Sequence, residues 1–203
     1  MENLGRDFIE SIVTAWDAFW TLWLAELLWI ALCLPVVTIP LAFGGLYHTM
    51  GQVAERESTE WRTFFEGARR YYLPAARWTG INAFVIALLG GASLYLVSSG
   101  TLTGGDWAQA ASGIPLGLLA VWLALNVFTF PFMLGQEKPA YRKALRDSAL
   151  LYLKSPVYTL AFVLFDAAVI ALSLWLVIPW FVFTTSFTAL MACACVKNKT
   201  LPE

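Results

Sequence analysis

Charge is scarce in these 203 residues: Asp, Glu, Lys and Arg make up 13% of them, about half the share of an ordinary soluble domain. Thirteen Lys and Arg against 14 Asp and Glu leave a net charge of −1. With no basic excess and no basic tail, a nucleic-acid partner is not expected. Histidine occurs once, at His48, and cysteine three times, at Cys33, Cys193 and Cys195. Three thiols in apolar surroundings do not make a disulfide framework. Cys193 and Cys195 are two apart on an expected helix, so they point to different faces. They read as helix-packing thiols rather than metal or lipid sites, since no His or further Cys lies nearby. No metal-ligand spacing, phosphate loop, ATP-binding motif or Ser/His/Asp arrangement is present. An enzyme is the least expected class, and no catalytic residue, cofactor or metal is assigned.

Apolar residues fill the space: 59% are AVILMFWYC, with 10 Trp and 14 Phe. A soluble domain of this length cannot hide so much apolar surface, so lipid must cover part of it. The stretch MENLGRDFIESIVTAWDAFW carries Glu2, Asp7, Glu10 and Asp17 against Arg6 and has no small-residue cleavage site. That is not the pattern of a signal peptide. Leu4, Phe8, Ile12, Ala15 and Phe19 recur at helical spacing and predict an amphipathic helix in the membrane interface.

Four long stretches lack Lys and Arg. Trp78 to Gly105 and Trp107 to Gln136 are each one span with loop to spare. Ala18 to Met50 is 33 residues with only Glu26 charged, about 50 Å as a straight helix against a hydrocarbon core of about 30 Å. Pro156 to Val196 is 41 residues with only Asp166 charged, about 60 Å as a straight helix. Prolines break both: Pro35 and Pro40 the first, Pro179 the second. Proline lacks the N–H donor and clashes with the preceding turn, and it pushes Leu34 toward extended backbone. Val36, Val37 and Ile39 are β-branched and poor helix material. Leu34 to Ile39 therefore predicts a tight, extended connection between antiparallel helices. A single kinked, tilted helix or a re-entrant segment is the competing reading.

The positions of the basic residues choose between them. They fall at Arg6, at Arg56 to Arg77, at Lys138 to Lys154, and at Lys197 and Lys199, while Ser98 to Ser112 holds only Asp106. By the positive-inside rule the basic segments are cytoplasmic, which requires an even number of crossings between them. We therefore expect an all-α, polytopic integral membrane bundle of six transmembrane helices in a single domain. The spans are about 16–34, 40–54, 78–98, 113–134, 156–175 and 178–196, with both termini cytoplasmic. Trp107, Trp175 and Trp180 would lie at the outer interface, and Trp16, Trp78 and Tyr158 at the inner one.

Two cytoplasmic amphipathic helices are expected, at about 58–73 and 139–153. The first opens on Ser58 as N-cap, with Trp61, Phe64, Phe65, Ala68 and Tyr72 as one stripe. The second places Tyr141, Leu145, Ala149 and Tyr152 on one face. Trp61, Phe64, Phe65, Arg69 and Arg70, with Arg142, Lys143 and Arg146, are the expected partner- or lipid-facing residues. The two loops echo each other, Met50-Gly51-Gln52 against Leu134-Gly135-Gln136, each followed by a basic helix, tyrosine and proline. This reads either as a parallel repeat of span, surface helix and span, or as convergence of two similar loops.

Glu26 and Asp166 are the acids deep within expected spans, at matching depth. A lone carboxylate in hydrocarbon costs several kcal/mol, so each should face the bundle interior. Each reads either as a relay or solute contact, or as a neutral acid bonding between helices. His48, near the cytoplasmic end of its span, suits an interfacial or structural role. Asn126 and Thr129 share a helix face near Pro131 and mark a kink or an interhelical hydrogen bond.

The stretch ELLWIALCLPVVTIP resembles the YesL family of bacterial membrane proteins, a domain of unknown function. The resemblance rests on Leu28-Trp29, on Leu34-Pro35-Val36-Val37-Thr38, on Pro40, and on Leu46-Tyr47, with the aromatic pair Phe64-Phe65 following. Trp29, Leu34, Pro35, Thr38 and Pro40 form its hairpin motif. Glu26 stands where the family tends to have Asn, and Ile39 where it tends to have Gly. Such proteins tend to accompany sugar-uptake transporters and polysaccharide-degrading enzymes. The resemblance implies an accessory or interaction protein of a carbohydrate uptake system in the bacterial inner membrane. The lipid bilayer and transporter subunits would be its partners, and a homo-oligomer is compatible. The alternative expectation is a small solute or ion transporter or channel using Glu26 and Asp166.

Overall fold

The computed structural model describes residues 12–57, 59–103, 110–136, 138–176 and 181–200, and among them there are helices and short connections but no strand. The expected break at Pro179, the outer tryptophans Trp107 and Trp180, the N-terminal positions Leu4 and Phe8, and the expected cap Ser58 lie outside the described residues. The helices are α1 (Phe19–Cys33), α2 (Ile39–Ala54), α3 (Trp61–Arg70), α4 (Tyr72–Thr103), α5 (Gly113–Leu134), α6 (Tyr141–Lys154), α7 (Pro156–Leu176) and α8 (Phe181–Thr200). Residues 12–17 are also helical and run into α1 through Ala18, whose N–H donates to the Thr14 carbonyl at 3.0 Å.

The α1–α2 connection corrects one expectation. Leu34 is not extended. It finishes α1 in the right-handed helical region, at φ −57° and ψ −47°. The extended residue is Pro35 itself, and Val36–Thr38 form a single 3₁₀ turn. Proline leaves the last carbonyls of α1 without their usual donors. Thr38 supplies donors instead. Its N–H donates to the Pro35 carbonyl at 2.9 Å, and its hydroxyl lies within hydrogen-bonding reach of the Pro35 and Leu32 carbonyls. Pro40 follows in the first turn of α2, where an N–H is not needed.

α2 is the hub and packs against α1, α3, α4, α5 and α8. Its last turn closes through Arg56, in the left-handed region at φ 57°, with the Glu57 N–H on the Gln52 carbonyl at 3.0 Å. Glycines let α3 press onto it. A methyl group on Gly45 would sit 2.6 Å from the Phe64 ring, and one on Gly67 would overlap His48. α3 is capped at Glu60, two residues beyond Ser58, where the backbone N–H donates to Thr63 Oγ1 at 3.3 Å.

Two units share an order: α2, short α3, long α4, then α5, short α6, α7. Each short helix ends in a one-residue corner. The Tyr71 N–H reaches the Gly67 carbonyl and the Ser155 N–H the Leu151 carbonyl, both at 2.9 Å. α6 and α7 meet at 110°. α8 divides the interior. Leu190 and Cys193 join the core with Leu22, Leu46, Met50 and Phe64. Met191 and Cys195 join a second core with Phe128, Leu151 and Phe162. The two thiols face opposite sides, as their spacing predicts.

Candidate functional site

Glu26, on α1, is fully buried against α8. Ser186 donates to its Oε2 twice, from the backbone N–H and from the hydroxyl, each at 2.6 Å. Its other oxygen, Oε1, is buried without a hydrogen-bond partner. Asp166, on α7, is half-buried. No hydrogen bond joins the two carboxylates among the described residues. On α6, burial pushes the Tyr152 phenol up. Burial also pushes Tyr141 up, opposed by its hydrogen bond to Asn126.

A polar network missing from the sequence expectations as a unit ties α4 to α5. Asn82 Nδ2 donates to Asn126 Oδ1 at 3.3 Å, and Trp122 Nε1 donates to Asn82 Oδ1 at 2.9 Å. Each asparagine also donates back one turn, to the Trp78 and Trp122 carbonyls respectively, both at 2.9 Å. The signal was present: Trp78-x-x-x-Asn82 and Trp122-x-x-x-Asn126 repeat one spacing on two successive helices. Asn126 therefore makes the interhelical bond expected of it. Trp78 is partly buried. Its ring packs on Phe43, Tyr47 and Phe130, 5.2 to 6.5 Å away, and Trp29 extends the cluster through Phe43 at 5.7 Å. Trp16 and Trp175, by contrast, are exposed.

α6 is bonded along α5. Ser148 Oγ donates to the Leu125 carbonyl at 2.6 Å and Tyr152 OH to the Ala124 carbonyl at 2.7 Å. The expected stripe on α3 splits in two. Phe64 is not partner- or lipid-facing: it is 1% exposed and wedged over Gly45. The inward face is Phe64, Gly67, Ala68 and Tyr71, because α2 offers glycines there. Trp61 and Phe65 lie outward with Arg62, Arg69 and Arg70. Their rings are 6.2 Å apart, and the Arg62 guanidinium covers Trp61 at 5.5 Å. Arg142, Lys143 and Arg146 are exposed on α6.

The ends of α2, α5 and α8 meet at one pole of the bundle. Lys197 Nζ donates to the Ala54 carbonyl at 3.2 Å, and Leu134 lies against Gly51. A cavity of ≈ 460 Å³ opens there, lined by His48, Gln52, Glu55, Glu57 and Lys197 among others. His48 packs on Tyr71, with ring centroids 5.5 Å apart. A neighbouring cavity of ≈ 380 Å³ lies along α6. No group of three or more His, Cys, Asp or Glu able to hold a metal occurs among the described residues.

Together these features define an all-helical protein in which α4 and α5 are long and apolar enough to cross a membrane, with the bent α6–α7 pair as a third candidate. The chain matches no family model, no curated protein and no solved structure.

Proposed function

We propose that the protein is a six-pass accessory or interaction protein of the bacterial inner membrane with both termini cytoplasmic. Its partner is a subunit of a carbohydrate uptake system, as the resemblance to the YesL family implies. The outward face of α3 carries this reading. One side of α3 is locked into α2, while Trp61 and Phe65 stand 55% and 45% exposed beside three arginines. Exposed aromatics with arginine are the composition of interface anchors. Bilayer placement is supported by the α1–α2 tip, where Leu34, Val36 and Val37 are 77 to 81% exposed and Thr38 satisfies the turn internally. The ends of α2 and α8 lie together, with Lys197 bonded to the Ala54 carbonyl, which supports an even number of crossings between them. The transporter reading has less support, because Glu26 is fully buried and its Oε2 is taken up by Ser186.

A photo-crosslinker placed at Phe65 in intact cells tests the proposal. Transporter subunits should be recovered, and Trp61→Ala should reduce the yield. Recovery of lipid alone, or labelling of a cysteine at Arg62 from outside the cell, would overturn it.

A further inference from the structure

The cavity along α6 has a composition that suits one class of ligand. Lys143 and Lys154 stand at its two ends, on one face of the helix. Both are exposed, and neither makes an ion pair or hydrogen bond to the described residues. Gln136, from the end of α5, also lines it. Its Oε1 accepts the Ala140 N–H at 3.0 Å, which fixes the amide, while its Nε2 is buried with no acceptor. The acid in the lining, Asp147, is approached by Arg146 at 3.8 Å. Phe132, Leu151 and Val196 supply an apolar floor.

Cationic ends and an apolar floor together fit an anionic amphiphile. A soluble anion would leave the floor wet, and a neutral lipid would leave the lysines uncompensated. We infer that this groove between α5, α6 and α8 binds an anionic phospholipid, with Lys143 and Lys154 flanking it and the apolar floor taking its acyl chain. Basic pockets between helices at the cytoplasmic side are suited to such headgroups. The inference rests on the bilayer placement proposed above. Failure of that placement would show separately, as protein that does not float with vesicles at all.

Native mass spectrometry of the full chain in detergent, with phosphatidylglycerol or phosphatidylcholine added, is the test. Phosphatidylglycerol should stay bound and phosphatidylcholine should not. Lys143→Gln with Lys154→Gln should weaken the adduct about twenty-five-fold, from about fivefold per lysine. Leu150→Trp fills the groove without touching its charge and should also remove the adduct. Arg77→Gln, an exposed arginine on α4 away from the groove, should leave it unchanged. Wild-type binding by the double lysine variant, equal loss in the arginine variant, or inorganic phosphate held as tightly as the lipid would each overturn the assignment.

Discussion

Ser186 gives both its backbone N–H and its hydroxyl to one oxygen of Glu26, each at 2.6 Å, and so joins α1 to α8. Glu26→Gln keeps an acceptor oxygen in place and should leave thermal unfolding close to wild type. Glu26→Ala leaves two buried donors unpaired, at a cost of about 1–3 kcal/mol. Detergent-solubilised thermal melts distinguish the two, and equal melts for both variants would show that the pair contributes nothing.

The α2–α3 contact depends on two absent side chains. Gly45→Ala drives a methyl group into Phe64 at 2.6 Å and should destabilise by about 1–3 kcal/mol. Gly80→Ala, on α4 with nothing within 4 Å, should instead stabilise by about 0.5–1 kcal/mol. Opposite signs from the same substitution are the expected result in an unfolding series.

Asn82 and Asn126 should couple. A double-mutant cycle of the two alanine variants should return about 0.6 kcal/mol, the typical size of an interhelical polar pair in a membrane. Trp122→Phe removes the indole donor to Asn82 and should remove most of that coupling. Additive single effects would mean that the network is incidental.

Thr38 should matter through its hydroxyl. Thr38→Ser keeps the donor to the Leu32 and Pro35 carbonyls, whereas Thr38→Val, of similar shape, should cost about 1 kcal/mol. Protease accessibility of the α1–α2 connection would report the loosened turn.

Helix positions were legible because apolar run length and proline placement determine them locally. The expected span 113–134 coincides with α5, and 40–54 falls one residue short of α2 at its start. Side-chain direction on the short helices was harder to read. Phe64 and Phe65 are chemically alike, and only the glycines of a different helix decide which one turns inward. Pro35 misled for a related reason. The proline rule bears on its neighbour, but the local hydrogen bonds of Thr38 let Leu34 remain helical. The partner of Glu26 was not legible at all, since nothing near Glu26 in the chain indicates Ser186.

That separation has a consequence in time. Ser186 lies 160 residues downstream of Glu26, and a ribosome adds roughly 5–20 residues per second. The first hairpin therefore exists for roughly eight to thirty seconds before its acid has a donor to meet. The packing around Glu26 is completed only once α8 has been synthesised.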